Sequence, residues 1–67
     1  MILGSKVSFE REHKRLRGQV VEVVAPGALP VTPNPWKRRY KEVARPLESY
    51  VVKVADLFYW VDAIEFL

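Results

Sequence analysis

Residues 18–24 read Gly-Gln-Val-Val-Glu-Val-Val, the densest run of β-branched residues in this 67-residue chain. Such residues favour extended backbone, and Pro26-Gly27 follows closely as a turn signal. The pattern predicts a β-strand at residues 19–24. Gly18, just before it, would permit a bend or a bulge where this strand begins.

Two further blocks with strand character lie on either side of this stretch. Residues 6–9 alternate polar and apolar side chains with period two, and residues 49–55 are again rich in valine. After a predicted turn near Asp56, residues 57–61 continue as a partner strand for the block before them. The sequence therefore predicts a sheet of short strands.

The ends of these blocks carry weaker signals. Residues 10–17 mix charges of both signs and have no apolar stripe, so they predict a solvated hairpin loop rather than a core helix. Near the C-terminus, residues 62–64 predict one 3₁₀ turn with Asp62 as its cap. A short final strand is expected at residues 65–67.

The long connection at residues 26–46 holds all five prolines. Asn34 suits a helix N-cap, Pro35 suits the first helical position, and a helix is expected to end before Pro46. We therefore predict a short inserted helix at about residues 35–44. Its apolar face has the spacing i, i+4, i+7, and consists of Trp36, Tyr40 and Val43.

Together these elements predict a mainly β fold, a single five-stranded barrel domain over residues 1–67 with a helix in its long loop. The pattern resembles the SH3-like small barrels, including Tudor-type and KOW-type domains. The residues that carry the resemblance are Gly4-x-x-Val7-x-Phe9, Gly18 to Val23, Ser49 to Val54, and Asp62 to Leu67.

Three of these segments also resemble the plasmid-type (type II) dihydrofolate reductases, namely Gly4-Ser5-Lys6-Val7, Gly18-Gln19-Val20-Val21 and Ala63-Ile64-Glu65. The resemblance to that family implies an SH3-like barrel that forms a tetramer around one pore. Its pore motif is Val-Gln-Ile-Tyr, and the matching stretch here is Leu57-Phe58-Tyr59-Trp60. Because the functional glutamine is absent, no active-site residue carries over, and a pore-type tetrameric reductase is the third and last function that the sequence suggests.

Composition narrows the function classes. The chain has no cysteine, a single histidine (His13) and three isolated glycines, so the sequence signals no metal site, no phosphate-binding loop and no cofactor. No nucleophile with an adjacent base is signalled either, and we expect a non-catalytic protein. The sequence has no signal-peptide or membrane-span pattern, which predicts a soluble, cytoplasmic protein.

Charge is distributed unevenly along the chain. Residues 1–45 hold ten Lys and Arg against four Glu, a balance of +6, whereas residues 46–67 hold one Lys against four acids, a balance of −3. A basic face of this kind predicts a polyanionic partner, and nucleic acid is the first choice. The predicted contact residues are Lys14, Arg15, Arg17, Trp36, Lys37, Arg38, Arg39 and Lys41.

The sequence leaves two alternatives to this prediction. In the first, Trp36, Tyr40 and Val43 fill the open end of the barrel, which would make the insert's cations an ordinary solvated face. A protein-interaction or self-assembly module is the other alternative, because four large residues in a row at 57–60 must place two away from the core. The candidate partner-binding residues are Tyr40, Phe58 and Trp60.

Overall fold

The structure, a computed structural model, describes residues 2–32 and 44–67. Within these ranges the chain forms one antiparallel sheet and no helix, which confirms the predicted mainly β class. The order across the sheet is β4-β3-β2-β1-β5. The strands are β1 (Lys6–Arg11), β2 (Lys14–Val24), β3 (Ser49–Val54), β4 (Leu57–Val61) and β5 (Glu65–Phe66).

The sheet buries its main core on one side, which we call the core face. Val7, Phe9, Val20 and Val52 form this core and are almost completely buried. The Phe9 ring lies 5.5 Å from that of Tyr59, centroid to centroid, although β1 and β4 are not neighbours in the sheet. In a flat sheet three strand spacings would separate them by about 14 Å, so the sheet must curve strongly.

Strand β2 makes this curvature, because its first half pairs with β1 and its second half with β3. Gly18 lies near the change of partner. A Cβ there would meet the Val52 Cγ1 at 2.8 Å and the Val54 Cγ2 at 2.9 Å, with the Lys53 carbonyl oxygen closer still. The predicted bend near Gly18 is thus explained by close packing that admits no side chain.

A β-bulge in β2 creates a second buried cluster on the opposite side of the sheet, which we call the second face. Val20 pairs with Val52 but Glu22 pairs with Val51, so Val21 is an extra residue in β2. The bulge reverses the alternation of the strand. Glu22 and Val24 therefore share the second face with Val51 and Trp60.

The predicted solvated loop at residues 10–17 is wrong. Strands β1 and β2 continue through most of it, and the turn contains only Glu12 and His13, with φ of 51° and 67°. Leu16 pairs with Phe9 and packs on the core, and the Arg11 guanidinium lies over the Tyr59 ring. These contacts stabilise strands that the charged sequence does not predict.

The predicted 3₁₀ turn at residues 62–64 is also wrong, because the chain has a bend at Asp62 followed by irregular backbone. The Asp62 carboxylate accepts a hydrogen bond from the Arg45 guanidinium at 2.6 Å, which engages the oxygen that was expected to cap the turn. The turn near Asp56 and the strand that starts at Glu65 are confirmed. The predicted helix at about residues 35–44 lies outside the described residues, apart from Ala44.

Candidate functional site

Three cations on the second face of the sheet have no carboxylate partner among the described residues. Lys6 and Lys53 are both paired with Gln19, from β1 and β3, and Arg17 lies two residues before Gln19 on β2. All three side chains are exposed, and none forms an ion pair within the described part of the chain. Because adjacent strands are about 5 Å apart, Lys6 and Lys53 are separated by roughly 10 Å. We call Lys6, Arg17 and Lys53 the basic face.

Two uncharged side chains complete this surface. Phe58 pairs with Lys53, shares its face of the sheet, and is half-buried against the second cluster. Gln19 donates a hydrogen bond from its Nε2 to the Gly4 carbonyl oxygen at 2.9 Å. The basic face is therefore built on side chains that the sheet holds in place.

The strand geometry separates the predicted cluster of Lys14, Arg15 and Arg17. Lys14 pairs with Arg11 on the core face, whereas Arg15 and Arg17 lie on the second face. Arg15 is ion-paired with Glu65, so its charge is already balanced. Of these three residues, Arg17 alone contributes to the basic face. That the other two contact nucleic acid stays a prediction.

The first end of the long connection is fixed to the second face by Glu22. Its carboxylate accepts hydrogen bonds from the Val31 amide at 2.9 Å, from the Thr32 amide at 2.8 Å and from the Thr32 hydroxyl. Burial alone would raise the pKa of Glu22, but the hydrogen bonds from the Thr32 hydroxyl and the two amides together hold this pKa below its usual value. Glu22 thus binds the loop as a carboxylate.

The second end is fixed by Arg45. Its guanidinium lies 4.0 Å from the centroid of the Trp60 ring and donates hydrogen bonds to the Trp60 carbonyl and to Asp62. The Arg45 carbonyl oxygen accepts a hydrogen bond from the Gly27 amide at 2.9 Å. Both ends of the connection are consequently fixed, and both contact residues of the second face.

The position of Trp60 corrects one expectation from the sequence. Residues 57–60 do alternate faces as predicted, with Phe58 and Trp60 away from the core face. Trp60, however, is only 8% exposed, and its Nε1 donates a hydrogen bond to the Ser49 hydroxyl at 2.7 Å. It lies in the second cluster beneath Arg45 and does not form the exposed aromatic surface that was expected.

A groove of about 590 Å³ lies between β1 and the segment that joins β4 to β5. Its two guanidiniums are balanced by carboxylates, in the pairs Arg15–Glu65 and Arg45–Asp62. The groove therefore offers no free cation to an anion. Across residues 2–32 and 44–67, no three His, Asp or Glu side chains converge as a metal site would require.

The remaining predicted site residues lie outside the described residues. They are Trp36, Lys37, Arg38, Arg39, Tyr40 and Lys41. Sequence reasoning, on the other hand, missed Lys6 and Lys53. Each occupies a polar position in an alternating strand, but their proximity depends on the pairing register, which the sequence alone does not reveal.

Comparison with protein-family models, with curated proteins and with solved structures finds no match for this chain. The described residues include no helix of the length and apolarity needed to cross a membrane.

Proposed function

We propose that this protein is a small, non-catalytic nucleic-acid-binding module that contacts phosphates through its basic face. The observation that carries the proposal is the grouping of Lys6, Arg17 and Lys53, three unpaired and exposed cations on neighbouring strands. Cations without partners can neutralise phosphates, and this releases the counterions that are condensed on the polyanion. The release favours binding. Arg15 and Arg45, whose charges are balanced by carboxylates, contribute less.

The insert extends this surface in our proposal. Its described ends at Thr32 and Arg45 are held by Glu22 and Trp60, on the same face of the sheet as Lys53. The cations between those ends would then lie near the basic face and add phosphate contacts. They are Lys37, Arg38, Arg39 and Lys41, with Trp36 as a stacking candidate.

For the fold, we propose a closed SH3-like barrel with a short helix in the insert. Two observations support closure. The partner change along β2 bends the sheet at Gly18, and the Phe9–Tyr59 ring contact joins β1 to β4 across the core. Closure would protect the edges of β4 and β5, which a chain of this size has little else to cover.

The salt dependence of binding tests the proposed function. Fluorescence anisotropy with labelled oligonucleotides at several salt concentrations should give an affinity that falls steeply as salt rises. In R17A and K53A the slope of log affinity against log salt should fall by about 1 for each cation removed. Absence of binding at low salt would overturn the proposal.

A comparison variant locates the site. K14A also removes one positive charge, but from the core face of the sheet. If binding depends on the basic face, K14A should retain a larger slope than K53A. Equal losses would mean that total charge, and not this face, determines the affinity.

A protein-interaction module is the second candidate, and exposed apolar side chains favour it. Phe66 is 60% and Leu67 is 66% exposed, on and next to the short edge strand β5. Tyr40 and Phe58 would add to such a contact. Sedimentation over a range of concentrations tests self-association, and a persistent monomer would also exclude the third reading, a pore-type reductase tetramer.

A further inference from the structure

Building on the proposed function, we infer that the nucleic acid is single-stranded and that one of its bases stacks on Phe58. Two features determine which polynucleotide the basic face accepts. They are the position of an aromatic ring among the free cations and the shape of the surface around them.

The aromatic ring lies where a stacking partner is needed. Phe58 pairs with Lys53 on the second face, so the ring and the ammonium group are cross-strand neighbours. The ring is half-buried against the second cluster, which fixes its position but leaves part of it accessible. A base that stacks on an aromatic ring while a neighbouring cation holds its phosphate is the usual arrangement for unpaired strands.

The surrounding surface fits a duplex less well. Reading a duplex groove requires a protruding helix or a two-stranded ribbon. Among the described residues, the two-stranded ribbon that belongs to the basic face is the β1–β2 hairpin. That ribbon carries Glu10 and Glu12 near its tip, its Arg15 is paired with Glu65, and its Arg11 lies over Tyr59. It is not the uniformly basic element that a groove would favour.

The cations also trace a path across the strands and not along a ribbon. Lys6, Gln19, Lys53 and Phe58 form one row across four strands of the sheet, and Arg17 lies two residues before Gln19 on β2. An extended strand of nucleic acid that follows this row meets cations first and the phenyl ring last. Paired bases are already stacked inside a duplex and present no face to Phe58.

The experiment compares three labelled probes of equal length, about 12 nucleotides, within the range that small barrels cover. They are oligo(dT), an abasic oligomer with the same phosphates, and a duplex of mixed sequence. Wild-type protein should bind oligo(dT) at least fivefold more tightly than the abasic oligomer, and more tightly than the duplex. F58L, which keeps an apolar side chain of similar size, should lose this preference for bases while its affinity for the abasic oligomer is unchanged.

The outcomes separate the two proposals. Salt-dependent binding with no preference for oligo(dT) over the abasic oligomer, or with a preference for the duplex, overturns this inference and leaves the proposed function standing. No binding to any probe overturns both. Because Phe58 also packs against the second cluster, the folding of F58L is checked by circular dichroism. If F58L unfolds, F58M takes its place, and a folded variant that keeps the preference for oligo(dT) overturns the inference.

Discussion

Gly18 shows how one residue permits the curvature of the whole sheet. The backbone of β2 approaches β3 there so closely that a Cβ would overlap the Lys53 carbonyl oxygen. The carbonyl belongs to the backbone and cannot move aside as a flexible side chain would. Any substitution must therefore separate the strands at the point where β2 changes partner.

We expect G18A to lower the free energy of unfolding by about 3 kcal/mol, at the upper end of the usual cost of overpacking. Chemical denaturation monitored by circular dichroism measures this loss. Gly27 provides the control, because it has a φ of 81° but open space around its Cα. G27A should cost about 1 kcal/mol, from backbone conformation alone. Equal losses for the two variants would contradict the packing explanation.

Glu22 links the stability of the fold to pH. Its pKa is lowered from an ordinary value of 4.5, so its contribution is present above that value and is lost as pH falls through the lower folded value. We expect E22Q to be less stable than wild type by about 1 kcal/mol at neutral pH. Thermal unfolding over a pH series measures the difference, which should shrink as the solution is acidified below about pH 4.5.

A matched variant separates this effect from the general loss of negative charge. E12Q removes a carboxylate that is exposed in the hairpin turn, away from the loop. Its stability should stay close to wild type over the same pH series. A constant difference between E22Q and wild type at every pH would mean that the charge of Glu22 does not matter.

Among the elements of the fold, the β1–β2 hairpin is the one whose turn is least suited to its geometry. Both central residues have positive φ, as in a type I′ turn, but the sequence supplies Glu12 and His13. Asparagine and glycine adopt this conformation with less strain. The hairpin therefore forms because its strands pack well, and in spite of its turn.

We expect the double variant E12N/H13G to raise the free energy of unfolding by about 1 kcal/mol. The gain is measured by chemical denaturation. A control that replaces His13 with Ala keeps a Cβ at positive φ and should give no gain. If E12N/H13G is less stable than wild type, Glu12 or His13 makes a contribution that the turn geometry does not explain.

The hairpin also illustrates what the sequence does and does not predict about the elements. The valine-rich and aromatic patterns predict β3 and β4 with nearly the right bounds, but they predict only the second half of β2, residues 19–24. Residues 10–17 do not show a strand pattern, because positively charged residues occupy positions on the core face where apolar residues are expected. Long side chains such as that of Arg11 can lie on an aromatic ring with their charge in solvent, which hides the period of two.

Two parts of the candidate site depend on contacts between distant residues, and no local pattern predicts them. Trp60 was expected to be exposed because it alternates away from the core, but Arg45 covers it from fifteen residues away in sequence. The basic face combines residues of β1, β2 and β3, and its composition depends on the register between them. Of its three residues, only Arg17 is also among the contact residues predicted from the sequence.

For the molecule as a whole, the charges of the basic face would favour the proposed binding at the expense of stability. Lys53 pairs with Gln19, and Arg17 lies two residues before Gln19 on the same face of β2, so the two like charges repel. We expect K53E to raise the free energy of unfolding by about 0.5 kcal/mol, because it replaces this repulsion with attraction. The same substitution should weaken oligonucleotide binding at low salt. Thermal unfolding and anisotropy on one preparation measure both effects.

The neutral variant K53Q serves as the control and should lie between wild type and K53E in both measurements. A screening concentration of salt should reduce the differences in stability, because these charges are exposed. If K53E stabilised the fold without weakening binding, the polyanion would not contact this face.

The hydrogen bond from Gly27 to Arg45 has a further consequence, for how this chain can diversify. It brings together the two points at which residues 28–44 leave and rejoin the rest of the protein. The entropic cost of closing a loop grows slowly with its length, by about 0.6 kcal/mol for each doubling. Between Thr32, which Glu22 holds, and Arg45 the chain is therefore suited to grafting, and segments of different length and composition can be exchanged there while the strands keep their register.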